Sequence, residues 1–211
     1  ESEKDMKLYT SLYTNLGVSY LDESNQEYAL KYLKTAHDIS DKSQSLSILP
    51  AILNNIAYIH RQRAENKEAL SYLYRALKLL EGMEDKLTEG IILYNIALIY
   101  FNTKDLRMSI YFINKCRRIG KRYKLPILKA FAYGLRSIVY VEADETKKAV
   151  SDVKKWITNN EYLKTDPLQG MIYITVAKLL LKKVKVKDNI IKYFGSNEPE
   201  FYFKKAIEKS S

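Results

Sequence analysis

Residue types that could support metal or nucleophilic chemistry are few and scattered in this 211-residue chain. It contains two histidines, His37 and His60, and a single cysteine, Cys116, whose spacing matches no metal-binding pattern. The glycine-rich and serine-centred motifs of phosphate loops, dinucleotide-binding folds and hydrolases do not occur. The paired acids Glu84 and Asp85 fall in an expected turn. We therefore expect no metal, no cofactor and no catalysis.

A different chemistry is indicated by asparagines that recur on a step of 40 residues, at Asn15, Asn55 and Asn95. One amide side chain donates and accepts hydrogen bonds at once, so a row of amides suits a peptide main chain better than any particular side chain. The alternative is that these asparagines tie neighbouring helices to one another. Main-chain binding and helix tying both require the three asparagines to lie on equivalent structural elements.

The same step of 40 residues runs through four further columns, which indicates stacked copies of one supersecondary unit. Two columns are small throughout, a third is small in its first three copies, and the fourth is aliphatic. They are Gly17, Ala57, Ala97, Ser137; Ala29, Ala69, Ser109, Ala149; Ala36, Ala76, Cys116, Trp156; and Leu33, Leu73, Ile113, Val153.

Within each copy, apolar residues recur three, four and seven apart, as they do on one face of a helix. Short polar breaks separate two such stripes, so each copy is predicted to be a hairpin of two antiparallel helices. Predicted helices cover 3–21, 26–40, 46–63, 66–80, 86–101, 106–122, 125–142, 145–158 and 167–183, with short helices at 188–194 and 199–209.

The first copy, Tyr13-x2-Leu16-Gly17-x2-Tyr20 followed by Ala29-x3-Leu33, resembles the signature of the tetratricopeptide repeat. The step of 40 exceeds the usual 34 and resembles long-helix variants of bacterial regulators. The resemblance implies an all-α fold, a right-handed α-α superhelix (solenoid) of antiparallel helical hairpins. About five repeats are expected, at 6–43, 46–83, 86–123, 126–160 and a degenerate 167–195, with a helical cap at 198–209, as one domain over 1–211.

Two residues of the fourth copy depart from the family pattern. Arg136 stands where a large apolar residue is expected, and Trp156 where a small one is expected. We expect the packing of this repeat to be altered.

In tetratricopeptide proteins an asparagine ladder faces the groove and holds the backbone of an extended peptide, and the resemblance implies this role here. The candidate groove residues are Asn15, Asn54, Asn55, Tyr58, Arg61, Tyr94, Asn95, Leu98, Phe101, Asn102 and Phe131. Aromatic side chains and amides with one basic residue suit a peptide with apolar or aromatic anchors. The family's clamp of lysines and arginines for a free C-terminus is not reproduced, which favours an internal segment.

The net charge of +10 is concentrated in the C-terminal half. One basic cluster spans 117–124 and another 178–187, and either could attract an acidic surface, nucleic acid included. Charge runs of this kind are usually solvated faces, so we regard direct nucleic-acid binding as a minor alternative. No apolar run approaches the roughly 18 residues of a membrane span.

The resemblance implies a non-enzymatic module that binds a protein or peptide, as the sensing or regulatory part of a bacterial signalling or transcription-regulatory protein. The alternative is a structural adaptor or assembly scaffold that associates through its outer or terminal faces, for example as a homodimer. We favour a cytoplasmic over a periplasmic or exported location. Because the chain opens at Glu1 rather than Met, we expect an excised domain or a processed product.

Overall fold

A computed structural model describes residues 3–22, 25–43, 46–160, 169–182, 190–191, 193, 195–196 and 198–208, and these residues contain helices and no strand. The helices are α1 (Glu3–Asp22), α2 (Gln26–Lys42), α3 (Leu49–Gln62), α4 (Asn66–Leu79), α5 (Lys86–Asn102), α6 (Leu106–Arg122), α7 (Pro126–Glu142), α8 (Thr146–Asn160), α9 (Gln169–Leu181) and α10 (Pro199–Glu208). None of the described helices is long and apolar enough to span a membrane.

The predicted helices are confirmed, mostly to within two residues at each end. The largest difference is the start of α3, predicted at Leu46 and found at Leu49. Pro50 occupies the first turn there, where its fixed φ favours the helix and its missing N–H costs nothing. Pro167, the expected start of α9, lies outside the described residues, as does most of the helix predicted at 188–194.

The chain divides within α5 into two compact units, unit 1 (residues 1–99) and unit 2 (residues 100–211). In unit 1, α1 pairs with α2, α3 pairs with α4, and α2 also contacts α3. In unit 2, α7 pairs with α8, and α9 packs against α7, α8 and α10. Helical hairpins are therefore the building blocks of each unit. A single array over 1–211 stays a prediction.

Four turns between consecutive helices repeat on the 40-residue step. The N–H groups of Asn25, Glu65, Asp105 and Glu145 donate to the carbonyls of Tyr20, His60, Tyr100 and Tyr140, at 2.8, 2.9, 2.9 and 2.7 Å. In the last three turns the residue before the N–H donor has a left-handed backbone conformation. Its φ is 59° at Ala64, 65° at Lys104 and 60° at Asp144. This is the usual way for a helix to end while its last carbonyls are satisfied.

The columns identified in the sequence are core positions. All sixteen residues of the four columns are buried. In unit 1, Ala29, Leu33 and Ala36 of α2 pack against Ile52, Ile56 and Ile59 of α3. Small residues on α2 thus let the next hairpin approach closely, which is how one repeat contacts its neighbour.

At Gly17 the two helices of the first hairpin approach each other closely. A Cβ atom at this position would lie 2.6 Å from Cγ of Leu33, which is fully buried, and 3.3 Å from the Ala29 carbonyl oxygen. We expect Gly17→Ala to lower the free energy of unfolding by about 1–2 kcal/mol, because overpacking outweighs the gain in helix propensity. Urea unfolding followed by circular dichroism measures the change.

The control for this prediction is the equivalent residue of the next hairpin. Ala57→Gly relieves no clash and loses helix propensity, so it should cost about 1 kcal/mol. A Gly17→Ala variant more stable than the wild type would show that Leu33 moves aside freely, and would contradict the prediction.

The C-terminal helix α10 covers α9 through a residue that the sequence reasoning did not select. From the sequence alone, we expect Phe201, Phe203, Ala206 and Ile207 of the helical cap to cover the last repeat face. Tyr202 is instead fully buried, with its ring centroid 6.0 Å from that of Tyr173 on α9, while Phe201 and Phe203 are half-buried. Ala206 is buried as predicted, and the side chain of Ile207 lies outside the described set.

Candidate functional site

The candidate site in unit 1 is one side of the first helices of successive hairpins, which we call the first-helix face. Its members occupy equivalent positions of the 40-residue step; Thr14 and Tyr94 are buried, and the others are half-buried or exposed. They are Thr14, Asn15 and Val18 on α1, Asn54, Asn55, Tyr58 and Arg61 on α3, and Tyr94, Asn95 and Leu98 on α5. On α3 these positions fall within about 120° of the helix circumference, at 100° per residue.

The asparagines of this face differ in environment. Asn15 is exposed, whereas Asn55 and Asn95 are half-buried. Nδ2 of Asn95 donates to Oδ1 of Asn54 at 2.8 Å, which joins α5 to α3. The helix-tying alternative is therefore observed at this pair. Each amide in it keeps further hydrogen-bonding groups, because Asn54 retains both N–H donors of its amide and Asn95 retains its carbonyl oxygen.

Next to the asparagine pair, three side chains of α3 interact with one another. The Arg61 guanidinium carbon lies 5.2 Å from the centroid of the Tyr58 ring, within the range of a cation–π contact. Nε2 of Gln62 donates to the Tyr58 hydroxyl at 3.1 Å. Tyr58 is still 38% exposed. It is therefore held in place while part of its ring stays open to a ligand.

The α5 part of the face is more apolar and more enclosed. Tyr94 is only 8% exposed and Leu98 is half-buried. The sequence of α5 is apolar on nearly all sides. Tyr94 therefore has little exposed surface of its own, and α1 and α3 supply most of the exposed polar groups.

The remaining predicted residues lie in unit 2, where the equivalent face is closed. Phe101 and Phe131 are half-buried, and Asn102 is exposed. On α7 the equivalent positions Leu135, Ile138 and Val141 are buried. Their apolar side chains pack where unit 1 has asparagine, tyrosine and arginine, so an open polar face is a feature of unit 1.

His60 and Cys116 pack against neighbouring residues of the fold. Nδ1 of His60 lies 2.6 Å from Oε2 of Glu65, and its ring stacks on Tyr72 with centroids 5.3 Å apart. His60 packs like the tyrosines of its 40-residue column, since Tyr20 stacks on Tyr32 in the same way. Burial raises the pKa of the Cys116 thiol to about 12. The described residues contain no group of three or more potential metal ligands.

A buried ion pair that the sequence reasoning missed explains Arg136. Its Nε and Nη2 donate to Asp152 at 2.5 and 2.8 Å, and its Nη1 donates to Oδ1 of Asn114 at 2.6 Å. Burial opposes the charge, but the hydrogen bond and the charge of Asp152 raise the pKa of Arg136 overall. The guanidinium carbon also lies 5.6 Å from the centroid of the Tyr140 ring.

This ion pair replaces an aromatic pair of the other repeats. Tyr32, Tyr72 and Phe112 stack on Tyr20, His60 and Tyr100, and the next residue of their 40-residue column is Asp152. A planar guanidinium held by that aspartate takes the place of the missing ring over Tyr140. The signal is present in the sequence, because the column that begins at Tyr32 has two further aromatic residues and then Asp152.

Part of the basic surface of unit 2 is neutralised within the fold. Lys178 pairs with Glu142, and Lys182 pairs with Asp144 at 2.6 Å and donates to the Val141 carbonyl at 3.3 Å. The hydrogen bond from Lys178, opposed by burial, lowers the pKa of Glu142. These two lysines hold α9 to α7, which accounts for them without an acidic ligand.

Comparison with known proteins agrees with the repeat architecture, although no family model matches the chain. The chain is 22% identical over 140 residues to the transcriptional activator NprA of Geobacillus stearothermophilus, an alignment covering 66% of this chain and 34% of that protein. The chain thus matches about a third of this curated relative.

Several solved structures are similar over nearly the whole chain, two of which follow. Aspartyl phosphate phosphatase F from Bacillus subtilis superposes with a TM-score of 0.72 at 14% identity, covering 96% of this chain and 60% of that one. A tetratricopeptide repeat protein from Parabacteroides merdae gives 0.57 at 16% identity, covering 96% and 77%. Together with the in-register hairpins, these likenesses show that the chain has the tetratricopeptide repeat fold.

Proposed function

We propose that this chain is a non-catalytic module that binds an extended segment of a protein or peptide on the first-helix face of unit 1. The observation that carries the proposal is the set of amides on that face, half-buried Asn54, Asn55 and Asn95 beside the partly exposed ring of Tyr58. Such amides can pair with both the N–H and the C=O groups of a peptide main chain, while the ring offers an apolar contact.

We also propose that the module is the sensing or regulatory part of a bacterial signalling or transcription-regulatory protein in the cytoplasm. The support is the likeness to a protein named as a transcriptional activator. The hairpin architecture suits this role, since stacked hairpins form extended binding surfaces.

The test is binding of blocked peptides to the full 211-residue chain. Immobilised protein is incubated with a pool of N-acetylated, C-amidated octapeptides, and retained peptides are quantified by mass spectrometry. We expect Asn55→Ala with Asn95→Ala to reduce retention at least tenfold, because each lost amide leaves main-chain groups unpaired. Asn66→Ala, at the start of α4, is the control and should retain peptides like the wild type.

Single variants separate binding from helix tying. Asn54→Ala removes the acceptor for Asn95 and should lower the melting temperature, whereas Asn55→Ala should reduce retention with little effect on melting. If Asn55→Ala and the double variant retain peptides as the wild type does, the face does not bind them and the proposal fails.

The adaptor alternative is favoured by one observation on α1. Leu8 and Leu12 are 66% and 50% exposed. The equivalents of Leu12 in the next two repeats, Ile52 and Ile92, are fully buried. An exposed terminal face of this kind could pair with another chain. Under this alternative, Leu12→Asp abolishes association measured by analytical ultracentrifugation, and the asparagine variants leave it unchanged.

A further inference from the structure

Arg61 gives the first-helix face of unit 1 a feature that the amides do not explain. In the segments that form this face, residues 10–21, 49–62 and 90–99, Arg61 is the only Arg, Lys, Asp or Glu. A cation with no acid beside it in the sequence attracts anionic groups, whereas the amides pair with main-chain groups. The face therefore carries a single positive charge at a fixed place.

The bonding of Arg61 is also incomplete. Its Nε is buried and has no hydrogen-bond partner among the described residues, and no carboxylate there pairs with the guanidinium. The acid closest in sequence, Glu65, is engaged by Nδ1 of His60 at 2.6 Å. Elsewhere in the described chain, Arg75 pairs with Asp41 and Arg136 with Asp152, whereas Nε of Arg117 is buried without a partner as well.

The position of the guanidinium is set by Tyr58. The two groups are in cation–π contact at 5.2 Å, and Gln62 holds the Tyr58 hydroxyl at 3.1 Å. Stacking on an aromatic face leaves the in-plane N–H groups of a guanidinium available, and their fork matches the two oxygens of a carboxylate. One carboxylate could thus accept from the two Nη groups together, since Nε is buried.

From these observations we propose that Arg61 is a subsite for an acidic side chain, Asp or Glu, of the bound segment. This inference rests on the proposed peptide-binding function and adds a sequence preference to it. The amides on either side would hold the main chain, Tyr58 would contact an apolar neighbour, and Arg61 would select the carboxylate. A carboxylate at a peptide C-terminus has the same chemistry, so the experiment must separate the two sources.

The experiment uses pairs of octapeptides that differ only in charge. The full chain is immobilised and incubated with N-acetylated, C-amidated pools carrying Asp, Asn, Glu or Gln at the fourth position. We expect the acidic pools to be retained about tenfold more than their amide counterparts. Arg61→Gln should remove this preference, and Arg61→Lys should keep only part of it, because a lysine ammonium lacks the planar fork.

Arg63→Gln is the matched control, since it makes the same change of charge two residues away, where Nε of Arg63 donates to Oε1 of Gln26 at 3.3 Å. It should keep the acid preference. A preference that survives in Arg61→Gln would reflect the net charge of the chain and would overturn the subsite. So would equal retention of acidic and amide pools by the wild type, which leaves the peptide-binding function standing.

Two further outcomes are distinct. If the same pools with free C-termini are retained more strongly whatever the fourth residue, Arg61 binds a terminal carboxylate, and the side-chain subsite is wrong. If no pool is retained above the level of the Asn55→Ala, Asn95→Ala variant, the peptide-binding function itself fails, and the subsite with it.

Discussion

Arg136→Ile lowers the free energy of unfolding by about 3–5 kcal/mol, although it restores the apolar residue that the other repeats carry at this position. The reason is the partner it leaves behind: Asp152 is only 2% exposed and would lose both hydrogen bonds from the guanidinium. Lys155, whose Nζ is 3.8 Å from Asp152, is half exposed and compensates poorly. Urea unfolding monitored by circular dichroism measures the loss.

The double variant Arg136→Ile, Asp152→Phe is the informative control. It rebuilds the arrangement of the preceding repeat, where Ile96 stands in place of Arg136, and Phe112, in place of Asp152, stacks on Tyr100. We expect it to recover most of the lost stability, because an apolar pair of similar volume often replaces a buried ion pair without cost. A single variant as stable as the wild type would show that Asp152 finds other partners, contrary to the expectation.

Trp156→Ala is expected to cost about 3–5 kcal/mol, the usual range for removing a large buried ring. The substitution restores the small residue found at Ala36 and Ala76, yet Trp156 is fully buried and its volume is now part of the core of unit 2. Because Trp156 is the only tryptophan in the chain, unfolding of the variant must be followed by circular dichroism rather than fluorescence.

Cys116→Ala, in the same column, is the matched control and should cost far less, since it removes only one sulfur atom. A Trp156→Ala variant within about 1 kcal/mol of the wild type would mean that α8 moves inwards and fills the space. In that case the fourth hairpin can adopt the spacing of the others, and the ring does not determine its packing.

Most of the fold was predictable because the apolar spacing within each helix and the polar breaks between helices are local signals. The bounds of α6 were predicted correctly, since a polar break precedes Leu106 and a basic stretch follows the last apolar residue. The start of α3 was misplaced because Leu46, Ser47 and Ile48 extend the apolar pattern, while the helix begins only where Pro50 fits its first turn. Local patterns therefore define hairpins well and individual helix ends less well.

The site was predictable only as a set of equivalent positions. The sequence placed Asn54 and Asn95 on one face, but their hydrogen bond joins helices 41 residues apart and depends on how those helices cross. The pairing of Arg136 with Asp152 across α7 and α8 likewise needs the crossing geometry. The enclosure of Tyr94 results from neighbours on several sides, which a single helical stripe does not reveal.

The burial of Cys116 has a consequence for how this protein responds to thiol reagents. Its Sγ is enclosed 3.7 Å from the Leu128 carbonyl oxygen, at the contact of α6 with α7, and its pKa is raised to about 12. Only the thiolate reacts readily, so at neutral pH the folded chain is almost inert to alkylation and oxidation. Modification of the Cys116 thiol therefore requires α6 to separate from α7. The rate at which Cys116 is labelled therefore measures the local opening of unit 2.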